Sequence, residues 1–366
     1  MSLTSQLRSG ELSRWCTTHL PGSVSVAGQV ADAVTETAVL RAPAGPGRGP
    51  RHGAQVGGVF GARMAALVQD APPYYALLGM HAGGLVSLPG AHAIAAEFGT
   101  HQRLEPKLAQ DAMNLHPSPT DWLLIAGPTG PAGPAGWGDR VFAELAARGR
   151  RFHAEHAPTG QIGTPGAERA LARAYGAWSA AEDTYRSPSP PAALLALQAA
   201  APDPTLEQVR ALCPQPVVDD VAALARRLAD SGSLATLWSW AGNPAPGEAL
   251  GYSGPVFCPH WADGDLLVGD TLVDVKAVTR ADDRHTVLRW LWQLLGYAWI
   301  DEGDRWRIRH LALYLARHGA LIRWSVDEVA GLLVGDAQRV PEVRAEFRSV
   351  TRRLAAAEGA TWIPAG

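Results

Sequence analysis

Lysine is almost missing from this sequence. Of 32 basic residues only two, Lys107 and Lys276, are lysine, and the others are arginine. Lys276 follows an apolar run, in the sequence Asp274-Val275-Lys276. Arginine is a rigid and permanently charged fork, whereas lysine is a compact charge whose pKa shifts on burial. Chance survival explains one lysine by itself, so the neighbours of Lys276 decide whether the position needs an ammonium group.

Cysteine and long apolar runs are also scarce. The three cysteines, Cys16, Cys213 and Cys258, are scattered and odd in number, which argues against a disulfide framework. No apolar run approaches the ~20 residues of a membrane span. The first residues lack the charged start and the apolar core of a signal peptide. We therefore expect a cytoplasmic protein with no membrane partner.

Charge of either sign is modest. The formal net charge of -3 excludes a uniformly basic nucleic-acid binder, so any contact with DNA must come from a local patch. The hydrophobic fraction of 47% fits a folded protein with a large core, and 39 glycines and 28 prolines predict long loops.

Proline clusters divide the chain. Breaks at 187–191 and 202–204 predict a mostly helical N-terminal region of unknown role over 1–190, including a helix over 168–186. A strand over 121–126 and a surface loop over 127–136 are expected within it. A core with strands is expected over 205–340, followed by a C-terminal helix and tail over 341–366.

The core region reads as alternating strands and helices. A helix is predicted over 217–228, and strands over 255–260, 265–268 and 272–278. A long helix over 284–299, strands over 308–316 and 320–326, and a closing helix over 341–357 follow. This pattern predicts an α/β fold with a mixed sheet flanked by helices.

The segment from Asp263 to Val278 reads as a hairpin. Gly269 and Asp270 suit a two-residue turn, and the pairing that follows sets Asp265 opposite Asp274. Because strand side chains alternate, Asp265, Asp274 and Lys276 share one face, and the apolar residues between them point into the core from the other.

Two carboxylates placed directly opposite each other repel, and they favour a cation between them. Hard divalent ions such as Mg²⁺ prefer oxygen ligands of this kind. A neighbouring lysine can then orient or deprotonate water, or stabilise charge that develops on a phosphate. Asp263 competes with Asp265 for this role, and we favour Asp265 because it faces Asp274.

A strand aspartate, a short turn and Asp274-Val275-Lys276 on the next strand resemble the PD-(D/E)XK nuclease superfamily. The resemblance is closest to its RecB-type exonuclease branch, because Gln293 and Tyr297 on the following helix match a Gln-x-x-x-Tyr signature. It extends over 255–326 and implies a restriction-endonuclease-like core with the order strand, strand, strand, helix, strand.

The resemblance implies a role for each of these residues. Asp265 and Asp274, with the Val275 carbonyl, would bind Mg²⁺ or Mn²⁺, and Lys276 would position the attacking water. Gln293 would support the metal site or Lys276, with Tyr297 beside it. The expected activity is metal-dependent hydrolysis of DNA phosphodiester bonds, in repair or defence, and a helicase or another protein in trans is a candidate partner. Endonuclease and exonuclease action stay open.

Some features depart from the family or leave alternatives open. The acidic residue that the family often carries on a preceding helix has only uncertain candidates, Glu182, Asp219 and Asp220. Three scattered cysteines cannot hold an iron–sulfur cluster, and no helicase motif is present. Cys258 and His260 have no second pair of zinc ligands. A non-catalytic nucleic-acid-binding or assembly subunit, or a scaffold protein, remains the alternative.

Overall fold

The structure is a computed structural model that describes residues 2–35, 37–41, 50–98, 136–186, 191–200, 203–258 and 261–360. The chain forms two compact units. The first, here called the sheet unit, contains 1–41, 230–243 and 251–366; the second, the helical unit, contains 42–229 and 244–250. The predicted strand over 121–126, most of the predicted loop over 127–136, Lys107 and His260 lie outside the described residues.

The composition of the units differs from the expected division into 1–190, 205–340 and 341–366. Residues 1–41 belong to the sheet unit because Leu3, Leu7 and Leu12 are buried in its hydrophobic core. Residues 205–229 belong to the helical unit, where Val209 joins a separate core. The closing helix contributes Phe347 to the sheet unit. Burial of apolar side chains distant in sequence thus decides the grouping.

Helices precede the strands, as expected for a helical N-terminal region. The described helices are α1 (Leu3–Ser9), α2 (Glu11–His19), α3 (Ser23–Thr35), α4 (Pro50–Val68), α5 (Tyr74–Ala82), α6 (Leu88–Ala96), α7 (Trp137–His156), α8 (Pro165–Arg186), α9 (Ala192–Ala200), α10 (Leu206–Arg210), α11 (Gln215–Asp230), α12 (Ser233–Trp240), α13 (Arg284–Ile300), α14 (Val326–Val334) and α15 (Val340–Ala357). None of those in the described ranges combines the length and apolar content that crossing a membrane requires.

The strands form one mixed sheet and one small hairpin. They are β1 (Gly251–Ser253), β2 (Val256–Cys258), β3 (Ala262–Asp263), β4 (Leu266–Val268), β5 (Thr271–Lys276), β6 (His310–Leu315) and β7 (Ala320–Ser325). The five-stranded sheet has the order β1-β4-β5-β6-β7, and β2 pairs with β3. Only β5 and β6 are parallel among these neighbours. Helix α13 connects them, as a parallel pair requires. The predicted mixed sheet flanked by helices is confirmed.

Both faces of the central strands are buried, which the sequence did not predict. Leu267 and Leu272 lie in the core with α13 residues such as Leu291. Val268 and Val273, on the opposite face, are also inaccessible to solvent. Asp274 shares the face of Leu272, because it is two residues further along β5. The predicted burial of Val268 and Val273 is confirmed, but the face of the acids is buried as well, so Asp274 lies at the end of an apolar face.

Candidate active site

The hairpin of β4 and β5 has the predicted register. Leu266 pairs with Val273, Leu267 with Leu272 and Val268 with Thr271. The turn is possible because Gly269 has φ of 57°, a left-handed conformation that glycine adopts without steric cost.

Asp265 immediately precedes Leu266, the first residue of β4. Its carbonyl oxygen accepts a hydrogen bond from Gly254 N at 2.8 Å. Its carboxylate Oδ2 accepts one from the backbone N–H of Val275 at 2.7 Å. An exposed carboxylate is thus fixed beside the residue that follows Asp274, at the end of the hairpin that the sequence predicted.

Asp274 and Lys276 form an ion pair at the same end of β5. The Lys276 ammonium donates to Asp274 Oδ1 at 2.8 Å and lies 2.7 Å from Oδ2. Asp274 is 3% exposed. Burial raises the pKa of Asp274 above its usual range; Lys276 opposes this shift and the charge of Asp265 adds to it. The charge of Asp265 therefore disfavours ionisation of Asp274.

Lys276 is held as a charged ammonium group. Burial lowers its pKa, but Asp274 and Asp265 raise it by more, so the net shift is upward. The ammonium lies 5.9 Å from the centre of the Trp290 ring on α13. A strong hydrogen-bond donor is consequently held by Asp274, with the Trp290 ring nearby.

Gln293 and Tyr297 lie one turn apart on α13 and contact each other. Gln293 Nε2 donates to the Tyr297 hydroxyl at 2.7 Å and to Thr4 Oγ1 of α1 at 3.1 Å. The Tyr297 ring is buried and stacks on Phe257 with a centroid distance of 5.0 Å. Two donated hydrogen bonds hold the Gln293 amide in one orientation.

The carboxylates of the hairpin also affect Tyr297. Burial raises the pKa of Tyr297, and the charges of Asp263, Asp274 and Asp265 raise it further. Asp263 belongs to β3, where it pairs with Val256, and not to the β4–β5 ladder.

The backbone of Val275 faces the same end of the hairpin. Lys276 O accepts a hydrogen bond at 2.9 Å from the backbone N–H of Ala316, the residue after β6, so the polar groups of Lys276 face β6. Along a strand these groups alternate in direction, so those of Val275 face the β4 side, where its N–H meets Asp265. The Val275 carbonyl faces the same side, at a level of the sheet that lies beyond Leu266, the first residue of β4.

Thr4, Phe257 and Trp290 contact the predicted site residues, and the sequence analysis did not find them. Thr4 is almost three hundred positions from Gln293 and belongs to no motif. The aromatic residues near the site resemble ordinary core residues in the sequence. Only the packing of α1 and β2 on α13 brings Thr4 and Phe257 to the site.

The proposed helix-borne acids have other partners. Asp219 accepts a hydrogen bond from Arg169 at 2.8 Å, and buried Asp220 lies 3.2 Å from His52, both within the helical unit. Glu182 lies on α8. Cys258 is buried, and burial raises the pKa of its thiol.

The donor set suits a hard divalent cation in its chemistry. Asp274 Oδ2 is buried and accepts no hydrogen bond of good geometry from the described residues, and Asp265 uses only Oδ2 towards Val275. Carboxylate and carbonyl oxygens are the ligands that Mg²⁺ prefers. Within the described ranges no group of three or more His, Cys, Asp or Glu side chains is arranged to hold a metal ion, so a site here depends on two carboxylates and a carbonyl.

Comparisons with known proteins identify no relative of this chain: no family model, curated protein or solved structure matches it.

Proposed function

We propose that this protein is a metal-dependent deoxyribonuclease whose active site lies at the end of the β4–β5 hairpin, in a restriction-endonuclease-like core. The observation that carries the proposal is the contact between Lys276 and Asp274 beside Asp265. Support comes from the resemblance of these residues, and of Gln293 and Tyr297, to the RecB-type branch of the PD-(D/E)XK superfamily.

Asp265, Asp274 and the Val275 carbonyl would hold Mg²⁺ or Mn²⁺. When bound, the ion would supply charge stabilisation and an activated water for attack on phosphorus. Such an ion would add a second positive charge beside two carboxylates, of which Lys276 neutralises one.

Lys276 would act on the water or on the phosphate. Its ammonium donates to Asp274 and carries three N–H groups, so others are available to a water or a phosphate oxygen. A positioned donor of this kind stabilises charge that develops in the transition state. Gln293, fixed by Thr4 and Tyr297, would keep its amide oxygen towards the metal site or Lys276.

A second candidate is a nucleic-acid-binding or assembly subunit that keeps this fold without cutting. The observation that favours it is the same ion pair, because Lys276 lies within hydrogen-bonding distance of both Asp274 oxygens. Because Lys276 neutralises the charge of Asp274, this ion pair is stable without a metal.

One assay separates the two. Purified protein is incubated with linear and circular DNA in Mg²⁺, Mn²⁺ or EDTA, together with the Asp274→Asn and Lys276→Ala variants. Asp270→Asn, at the opposite end of the same hairpin, and Lys107→Ala are the matched controls. Metal-dependent cutting that only the two site variants abolish supports the enzyme. DNA binding without cutting supports the second candidate.

The variants must be folded for this comparison to count. Thermal unfolding and circular dichroism are therefore measured for each, because removal of one partner of a buried ion pair destabilises a protein by about 3–5 kcal/mol. Cutting by folded Asp274→Asn protein at the wild-type rate would contradict the proposal.

A further inference from the structure

An exposed tyrosine lies on the same sheet face as the proposed active site. Tyr252 of β1 pairs with Leu267 of β4, so the two side chains share a face. Asp265, two residues before Leu267, is on that face as well, and the hydrogen bond from Gly254 N to Asp265 O shows that the ladder extends to it. Diagonal neighbours of this kind are about 7–8 Å apart.

The Tyr252 ring is exposed and held in place. It is 44% exposed, one of three large hydrophobic residues exposed within the described ranges. It packs edge-on against Trp306, with a centroid distance of 5.6 Å and an angle of 68°. Trp306 in turn donates from Nε1 to the Val256 carbonyl at 2.9 Å. Two aromatic rings in a fixed arrangement thus border solvent.

Hydrogen bonds fix the loop that carries Trp306, and three arginines alternate along it, of which Arg309 pairs with Asp304. The Asp301 carboxylate accepts hydrogen bonds from the backbone N–H groups of Arg305 and Trp306, each at 3.0 Å. The sequence from 305 to 309 alternates Arg-Trp-Arg-Ile-Arg, and the Arg305 guanidinium lies 5.3 Å from the Trp306 ring centre. Arg307 is exposed and forms no salt bridge with the acids in the described part of the chain.

A continuous series of contacts joins this pair to the site. Trp306 is bonded to Val256, and the next residue, Phe257, stacks on Tyr297. Tyr297 accepts a hydrogen bond from Gln293, which the proposed function assigns to the site. A ligand on Tyr252 and Trp306 would therefore border the proposed centre of cleavage.

We infer that Tyr252 and Trp306 are a stacking platform for unpaired DNA bases, with Arg305 and Arg307 contacting the phosphates beside them. The inference rests on the proposed nuclease function and specifies its substrate as DNA with a single-stranded segment next to the scissile bond. Sequence-independent binding of single strands combines aromatic faces with a basic groove. Bases paired in a duplex cannot stack on a side chain in this way.

The test measures binding in EDTA, where no cutting occurs, with fluorescent single-stranded and blunt duplex oligonucleotides. Tyr252→Ala should weaken single-strand binding about fivefold or more, the range expected for loss of one base–aromatic stack. Tyr252→Phe, which keeps the ring, and Val24→Ala, which truncates another exposed hydrophobic residue of the sheet unit, should each stay within about twofold of wild type. Duplex binding should change less than single-strand binding.

The arginine contact has its own readout. Arg307→Ala should reduce the dependence of the single-strand binding constant on salt by about one phosphate contact, a slope change of ~0.7, whereas Arg307→Lys should restore it. Wild-type single-strand affinity in Tyr252→Ala, or an equal loss of duplex and single-strand binding, overturns the platform. A wild type that binds no single strand, or a Tyr252-dependent self-association without an effect on DNA, also overturns it.

Failure of the platform and failure of the nuclease are distinguishable. If wild type cuts DNA in Mg²⁺ and Tyr252→Ala binds single strands normally, the platform is wrong and the enzyme stands. If Tyr252→Ala loses single-strand binding in EDTA and the wild type never cuts, the platform stands as part of a non-catalytic single-strand binder.

Discussion

The Asp265 carboxylate and the Val275 backbone N–H meet at 2.7 Å, which fixes a charge at the point where the β4–β5 ladder ends. The contact fixes the Asp265 carboxylate beside the residue that follows Asp274. Asp265 itself precedes β4, which begins at Leu266. It also gives Asp265 a structural task separate from its proposed chemical one.

That separation makes Asp265→Asn informative. The amide oxygen can still accept from Val275, so the free energy of unfolding should change by no more than about 1 kcal/mol. The negative charge is lost, so metal-dependent cutting should be lost with it. Urea unfolding and cleavage rates, measured in parallel, check both expectations. A fully active Asp265→Asn protein would remove Asp265 from the site.

Tyr297→Phe tests the support of Gln293. The ring and its stacking on Phe257 remain, but the Gln293 amide loses one of its two hydrogen-bond partners. Cleavage should fall about tenfold or more, as for other residues that orient a site, with little loss of stability. Tyr314→Phe, at a buried tyrosine of β6, is the matched control and should cut normally.

Lys276→Arg tests why one lysine survives in an arginine-rich chain. The substitution keeps the positive charge, but a guanidinium cannot reproduce a compact ammonium between Asp274 and Trp290. Cleavage should fall by about 100-fold or more, the loss typical when a positioned donor is removed from a reacting centre. Lys107→Arg should have no effect. Equal activity of the two variants would show that the site needs only a charge.

Gly269→Ala tests the turn that sets the register. Alanine is strained at a φ of 57°, and its Cβ would lie 2.2 Å from the Trp240 carbonyl oxygen. The free energy of unfolding should fall by about 2 kcal/mol or more. Gly57→Ala in α4, where no atom lies within 4 Å of the added Cβ, should instead stabilise by about 0.5–1 kcal/mol. Chemical denaturation of the three proteins gives the comparison.

His153 should make the helical unit sensitive to acid. Burial lowers the pKa of this histidine to about 4 from an ordinary value of 6.5, and Arg63 lowers it as well. His153 therefore binds a proton below pH 6.5 in the unfolded chain, but only below about pH 4 in the folded chain. Stability should fall as the pH drops from 6.5 to 4, by about 3 kcal/mol at most.

The control for this pH effect lies on the same helix. His156 is exposed, so His156→Gln should keep the acid sensitivity, whereas His153→Gln should flatten the curve of unfolding free energy against pH. Unchanged acid sensitivity in His153→Gln would assign it to other groups.

The sequence by itself determined the local elements and the hairpin. Predicted helices over 168–186 and 284–299 appear as α8 and α13, because helical spacing of apolar residues is a local property. The pairing of Leu266 with Val273 was predictable because a two-residue turn at Gly269 and Asp270 fixes the register of the strands on either side. The proximity of Asp265, Asp274 and Lys276 follows from that register.

Only the tertiary structure decided what surrounds the hairpin. It buried both faces of β5, so Asp274 lies in an apolar environment that raises its pKa. It placed α1 of the first residues beside α13, giving Gln293 its contact with Thr4, and it brought Tyr252 and Trp306 together. Such contacts join positions far apart in the chain, and only the shared burial of apolar surface selects them.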